Sequence, residues 1–189
     1  MREVILAKTA GFCFGVKRAV DLVERTVSEG KAAATLGPII HNRHVVDRFA
    51  QMGVRELSSL SELKEGETVI IRSHGVAKSV YDEIAWRGIS YVDATCPFVE
   101  RIHELVRKAD LEGKRPIIFG QRSHPEVMAI AGWCSDPLCF ESPEEVLNWA
   151  EENPYELDNA YTAVFQTTSS KDFFEKCSKN LKKVPKRWL

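Results

Sequence analysis

Short apolar runs alternate with amphipathic stretches along the whole chain, and this alternation restricts the possible folds more than any other feature. The apolar runs are EVILAKT (3–9), AAATLGPII (32–40), ETVIIRSH (67–74), ISYVDAT (89–95), RPIIFG (115–120), PLCFE (137–141) and AYTAVFQT (160–167). Between them lie stretches with helical periodicity at 15–29, 43–52, 78–87, 97–112, 125–132, 143–151 and 170–182. Strand-then-helix repetition predicts βαβ units and small parallel sheets, an α/β class. Several runs are nearly continuous in Val, Ile and Ala, the composition of strands covered on both faces. Pro97 after Cys96 and Pro143 after Ser142 mark helix starts, while Gly30, Gly88 and Gly113 fall at helix ends.

With 189 residues the chain can build one large domain or two small ones. Its net charge of -1 argues against a broad electrostatic grip on nucleic acid or an anionic membrane. Any anion it binds must be held in a local pocket. No apolar run approaches the roughly 18–20 residues of a membrane span. The N-terminal apolar stretch, flanked by Glu3 and Lys8, is too short for a secretory signal, so the expected location is the cytoplasm. Five cysteines without a Cys-x-x-Cys pair argue against both a disulfide framework and a zinc ribbon.

The residues with reactive chemistry follow the apolar runs. Cys13, His41, His74, Cys96, His124 with Glu126, and Thr167 with Thr168 each stand at or just beyond the end of one. Ligands of open parallel sheets bind at the carboxyl ends of strands, so these positions are candidates for one site. Cys96 precedes Pro97 at a helix start, where unpaired N–H groups and the helix dipole favour thiolate. Cys13, between Phe12 and Phe14, fits either a small core hydrophobe or a ligand. Cys134 and Cys139 read as loop and strand packing, and Cys177 as incidental to a polar helix. His44 and His103 fall inside predicted helices, as surface or satisfied side chains. The SHPE stretch (123–126) places a donor and a proton-exchanging carboxyl together. QTTSS (166–170) offers hydroxyls and backbone N–H groups, suited to phosphate or to simple helix capping. Histidines, hydroxyls and helix N-termini suit a diphosphate. Two distant thiols suit a soft metal, and iron–sulfur clusters are held by thiolates.

Six motifs, GFCFGVKRAV, GPIIHN, IRSHGV, DATCPFV, SHPEV and QTTSS, resemble the 4-hydroxy-3-methylbut-2-enyl diphosphate reductases of the LytB/IspH type, in the family's order. The resemblance implies reductive removal of the allylic hydroxyl of that diphosphate, giving isopentenyl and dimethylallyl diphosphate in the non-mevalonate isoprenoid pathway. It implies a 4Fe-4S cluster reduced by ferredoxin or flavodoxin, with Cys13 and Cys96 as ligands. His41, His74, His124 and Thr168 would contact the substrate. Glu126 would supply the proton for the departing hydroxyl, and Thr167 would position substrate and relay protons.

The same resemblance implies two lobes of a three-lobed fold. Residues 1–13 would be a strand pairing with the third lobe, 14–96 the first lobe and 97–189 the second. The family's third cluster cysteine and a Ser-x-Asn motif would lie in the third lobe, so these 189 residues alone are expected to be inactive. Two other readings fit the same residues: a diphosphate-binding α/β module without a cluster, and an enzyme using Cys96 or Cys13 as nucleophile with a histidine. The absence of a Gly-rich phosphate loop weakens a nucleotide reading.

Overall fold

Every strand pairing among the described residues is parallel, as the alternation predicts. The computed structural model describes residues 4–5, 7–8 and 10–184. The chain divides into two compact units, one running to Ser73 and adding Tyr91–Cys96, the other taking His74–Ser90 and the chain from Pro97 onward.

The first unit contains α1 (Phe14–Ser28), β1 (Ala33–Leu36), α2 (Arg43–Gln51), β2 (Arg55–Leu57), a 3-10 turn (Leu60–Glu62), β3 (Thr68–Ile71) and β4 (Tyr91–Asp93). Its sheet runs β2-β1-β3-β4. The chain steps from β1 out to β2, then crosses to the other side of β1 as β3. Strand order therefore reverses between β1 and β3, where a crevice opens beyond the carboxyl ends. β1 and β3 are buried at every position. α1 presents Ala19, Val20 and Val23 to a core that includes Ile39, Phe49 and Ile70. Asn42 starts α2 by accepting a hydrogen bond from the Val45 amide.

The second unit contains α3 (Lys78–Arg87), α4 (Pro97–Leu111), β5 (Arg115–Phe119), α5 (Pro125–Ala131), β6 (Leu138–Phe140), α6 (Pro143–Glu152), a 3-10 turn (Pro154–Asp158), β7 (Tyr161–Phe165) and α7 (Lys171–Leu181). Its sheet runs β6-β5-β7, so β5 is central and the reversal lies between β5 and β7. Period-two alternation on β5 feeds two cores. Ile117 and Phe119 face Phe140, Val146, Tyr161 and Cys177. Ile118 faces Val106, Val127, Ile130 and Val164. Phe119 stacks on Phe165 with ring centroids 4.8 Å apart. Ser142 and Ser170 cap α6 and α7 through their hydroxyls.

The structure adds β2 to the predicted strands. Its three residues, Arg-Glu-Leu, bury one side chain fully, too little for an apolar pattern. β1 is shorter than its apolar run because Gly37 follows with φ +73, a left-handed turn that ends the ladder. The strand expected at 3–9 is not formed by the described part of that stretch. Val4 and Ile5 are exposed and the Ala10 amide closes a turn on Ala7; residues 3, 6 and 9 lie outside the described residues. Among the described residues no helix is long and apolar enough to cross a membrane.

Candidate active site

In the first unit, the two cysteines Cys13 and Cys96 stand at helix mouths. Cys13 is the N-cap residue of α1, is exposed, and makes no side-chain capping hydrogen bond. Cys96 is half-buried immediately before α4, and its amide donates to the Ser73 carbonyl (2.9 Å). A Cβ on Gly15 would run into Cys96 Sγ, so the glycine is what leaves room for that thiol. One turn further on, Arg18 donates to the carbonyls of Thr95 (3.0 Å) and Asp93 (3.2 Å), while the Asp93 carboxylate accepts from the Thr95 amide (2.8 Å). α1 thus carries one cysteine and fixes the backbone leading into the other.

At the β1/β3 reversal, the Ser73 amide and hydroxyl both donate to the Ile39 carbonyl (3.1 and 3.0 Å), tying the two strand ends together. Arg72 packs over Gly37, where a Cβ would lie 2.5 Å from its guanidinium. Burial lowers the Arg72 pKa, with Glu56 opposing the shift. His41 is exposed in the loop that follows.

In the second unit, His74 and His124 meet edge to face, with centroids 5.5 Å apart. His124 is the N-cap of α5, and its Nδ1 accepts from the Glu126 amide (3.1 Å). In the neutral ring that bond assigns the proton to Nε2. Glu126 is only 1% exposed, an unusual place for a carboxyl. Thr167 meets it twice: its amide donates to one carboxylate oxygen (2.5 Å) and its hydroxyl to the other (2.8 Å). Thr167 is itself exposed, so its hydroxyl stands between a buried carboxyl and solvent. Gln166 braces the neighbouring loops, accepting from the Gln121 amide (3.2 Å) and donating to Thr168 Oγ1 (2.8 Å). An open cavity of about 480 Å³ lies at these strand ends, lined by Gln121, Glu141, Gln166, Thr168, Ser169 and Phe173 among others.

The chain matches the LytB protein family over residues 4–187. It belongs to the LytB family. It is 42% identical over 172 residues to the 4-hydroxy-3-methylbut-2-enyl diphosphate reductase of Thermoanaerobacter sp. (strain X514), covering 88% of this chain and 57% of that protein. It is 43% identical over 178 residues to the enzyme of the same name from Clostridium perfringens (strain 13 / Type A), covering 93% of this chain and 61% of that protein. A solved structure of (E)-4-hydroxy-3-methyl-but-2-enyl diphosphate reductase, described as the terminal enzyme of the non-mevalonate pathway, matches with a TM-score of 0.80 at 36% identity, over all of this chain and 66% of that one. A diphosphate reductase structure from Plasmodium falciparum matches with a TM-score of 0.82 at 25% identity, covering 93% of this chain and 55% of that one. The chain therefore spans about 60% of the length of the curated LytB relatives it matches.

Within this LytB chain the five thiols differ sharply. Burial pushes Cys134 up to about 12 and Cys177 up to about 11, and raises Cys139 as well. Such thiols stay neutral and make poor metal ligands, which must be thiolates. Cys177, read from sequence as incidental, is fully buried in the β5 core because α7 turns that face inward. His103 is likewise interior, 3% exposed and stacked on Trp133. Cys13 and Cys96 are the pair whose placement fits a thiolate-held group: exposed or half-exposed, at helix mouths, with Gly15 clearing space for sulfur. The sequence did not single out Gly15, Arg18 or Gln166. The first two lie inside GFCFGVKR, whose small and basic residues carry the signal in hindsight, and Gln166 opens the QTTSS stretch.

Proposed function

We propose that the protein acts as a 4-hydroxy-3-methylbut-2-enyl diphosphate reductase, producing isopentenyl and dimethylallyl diphosphate for isoprenoid synthesis. The reaction breaks the allylic C–O bond, releases the hydroxyl as water and forms a C–H bond, consuming two electrons and two protons. A 4Fe-4S cluster, when bound and reduced by ferredoxin or flavodoxin, supplies the electrons and a Lewis acid. Cys13 and Cys96 are the residues of this chain that would hold it.

The remaining work falls to side chains already placed. His124, with Nδ1 engaged by the Glu126 amide, keeps Nε2–H as a donor for a phosphate oxygen. His74 beside it, His41 and Thr168 are the further donors for the diphosphate. Glu126 is the proton store. Once protonated it passes its proton to the Thr167 hydroxyl, which passes its own on to the departing oxygen. The hydroxyl bond of Thr167 to Glu126 (2.8 Å) is the path of that relay, while the Thr167 amide steadies the other carboxylate oxygen (2.5 Å). Burial serves the relay, because a carboxyl sealed from water exchanges its proton through the threonine.

What carries this reading is the 1%-exposed Glu126 held by both donors of Thr167, in a chain whose relatives bear the reductase name. The test is anaerobic turnover by the protein joined to the stretch of a relative that the match does not cover, loaded with iron and sulfide and given reduced flavodoxin. The expected result is both isoprenoid diphosphates. Diphosphate binding without any reduction would favour the non-redox module instead.

A further inference from the structure

We propose that Trp133 and Gly132, at the far end of α5 from His124, are positioning residues for His74. The inference rests on the reading above, in which His74 and His124 jointly receive an anionic oxygen. Residues 74–77 lie between β3 and α3 with no regular structure of their own, so anchors must set where His74 sits. Three anchors are visible, all on the residues that follow α5. Trp133 Nε1 donates to the Val76 carbonyl (2.9 Å). The Lys78 amide donates to the Gly132 carbonyl (3.2 Å). Gly132 also packs so closely on Ala77 that a Cβ there would lie 2.8 Å from the Ala77 Cα.

The indole is itself clamped. His103 stacks on it at 5.1 Å and 17°, and Tyr81 leans on it at 5.6 Å. At the other end of the same helix, His124 is fixed by its N-cap bond. α5 has seven residues, a rod of about 10 Å at 1.5 Å per residue. One short strut therefore holds His124 at its start and the His74 segment at its finish. The two rings lie 5.5 Å apart, with Ser73 bonded to the Ile39 carbonyl on one side of His74 and the strut on the other.

Trp133→Phe keeps an aromatic ring against His103 and Tyr81 but deletes the bond to Val76. Two readouts decide the matter: affinity for inorganic diphosphate by calorimetry, and histidine ring signals by NMR. Trp133→Phe is expected to move the His74 signal while His124 keeps its Nε2–H form. It should weaken diphosphate binding about five- to tenfold, the loss of roughly one hydrogen bond. The double variant with His74→Ala should bind no more weakly than His74→Ala alone, because both changes remove one contribution. Additive losses, or a Trp133→Phe protein with an unmoved His74 signal, would overturn the proposal. Should Trp133→Phe fold poorly, Gly132→Ala shifts the same anchor without touching the indole and must give the same two changes. If His74→Ala and His124→Ala both leave diphosphate affinity intact, the anion-binding reading falls, and the His74 signal alone judges the positioning.

Discussion

The two units solve the same topological problem and end with opposite chemistry. Each has a parallel sheet whose strand order reverses beside a central strand, β1 in one and β5 in the other. In the first unit the strand and helix ends carry accessible sulfur, at Cys13 and Cys96. In the second they carry a carboxyl that is 1% exposed and sealed by a threonine. The thiols of the second unit differ, half-buried at Cys134 and Cys139 and buried at Cys177, and desolvation raises the pKa of all three. A soft metal needs a thiolate that it can reach. A proton store needs a carboxyl that water cannot short-circuit. On the proposed function, the difference between the units would be a division of labour between metal holding and proton handling.

The largest expected effect breaks the proton side alone. Glu126→Gln keeps shape and one acceptor for the Thr167 amide but has no proton to give. Turnover should fall by about 10²–10⁴-fold with iron content unchanged. Equal loss of iron would mean that the two functions are not divided as described. Next in size is a stability effect confined to the second unit. Phe119→Ala removes a fully buried ring stacked on Phe165 and should cost about 3–5 kcal/mol in urea unfolding. A cost below 1 kcal/mol would show that the β5 core is not packed as described.

Smaller changes sharpen the sulfur side. Gly15→Ala places a methyl against Cys96 Sγ, an overpacking of about 1–3 kcal/mol that the thiol must relieve by turning away. The alkylation rate of Cys96 in metal-free protein should change while the Glu126–Thr167 bonds persist. An unaltered rate would remove Gly15 from the site. Smallest is a pH effect. Cys134 and Cys177, held near 12 and 11, remain neutral where unfolded thiols ionise from about pH 9. The folded state then binds more protons than the unfolded one, so stability falls as pH rises past 9. Urea midpoints at pH 8 and 10 should differ, less so in Cys134→Ala. At pH 8 iodoacetamide should label Cys13 and spare Cys134 and Cys177.

Helix positions were legible in the sequence nearly residue by residue, because caps are local. Asn42, Ser142 and Ser170 each bond an amide three residues on. Strand β2 was not legible, since three residues with one buried side chain leave no period to detect. The division of the chain was also hidden. α3 lies between β3 and β4 in sequence yet groups with the second unit, through anchors on Gly132 and Trp133 that no local pattern announces. Among the candidate site residues, Cys13, Cys96, Glu126 and Thr167 stand out in the sequence by their places at the ends of apolar runs. Gly15 and Arg18 could not, because their roles consist of contacts with Cys96, Thr95 and Asp93 some eighty residues away.

Anaerobic reconstitution with iron and sulfide tests the central claim most directly, using the protein joined to a relative's remaining stretch and its cysteine variants in parallel. The expected result is a brown protein with broad visible absorption, lost in Cys13→Ser and in Cys96→Ser and retained in Cys134→Ala and Cys139→Ala. A colourless protein that still binds diphosphate, or colour that depends on Cys134 or Cys139, would contradict it.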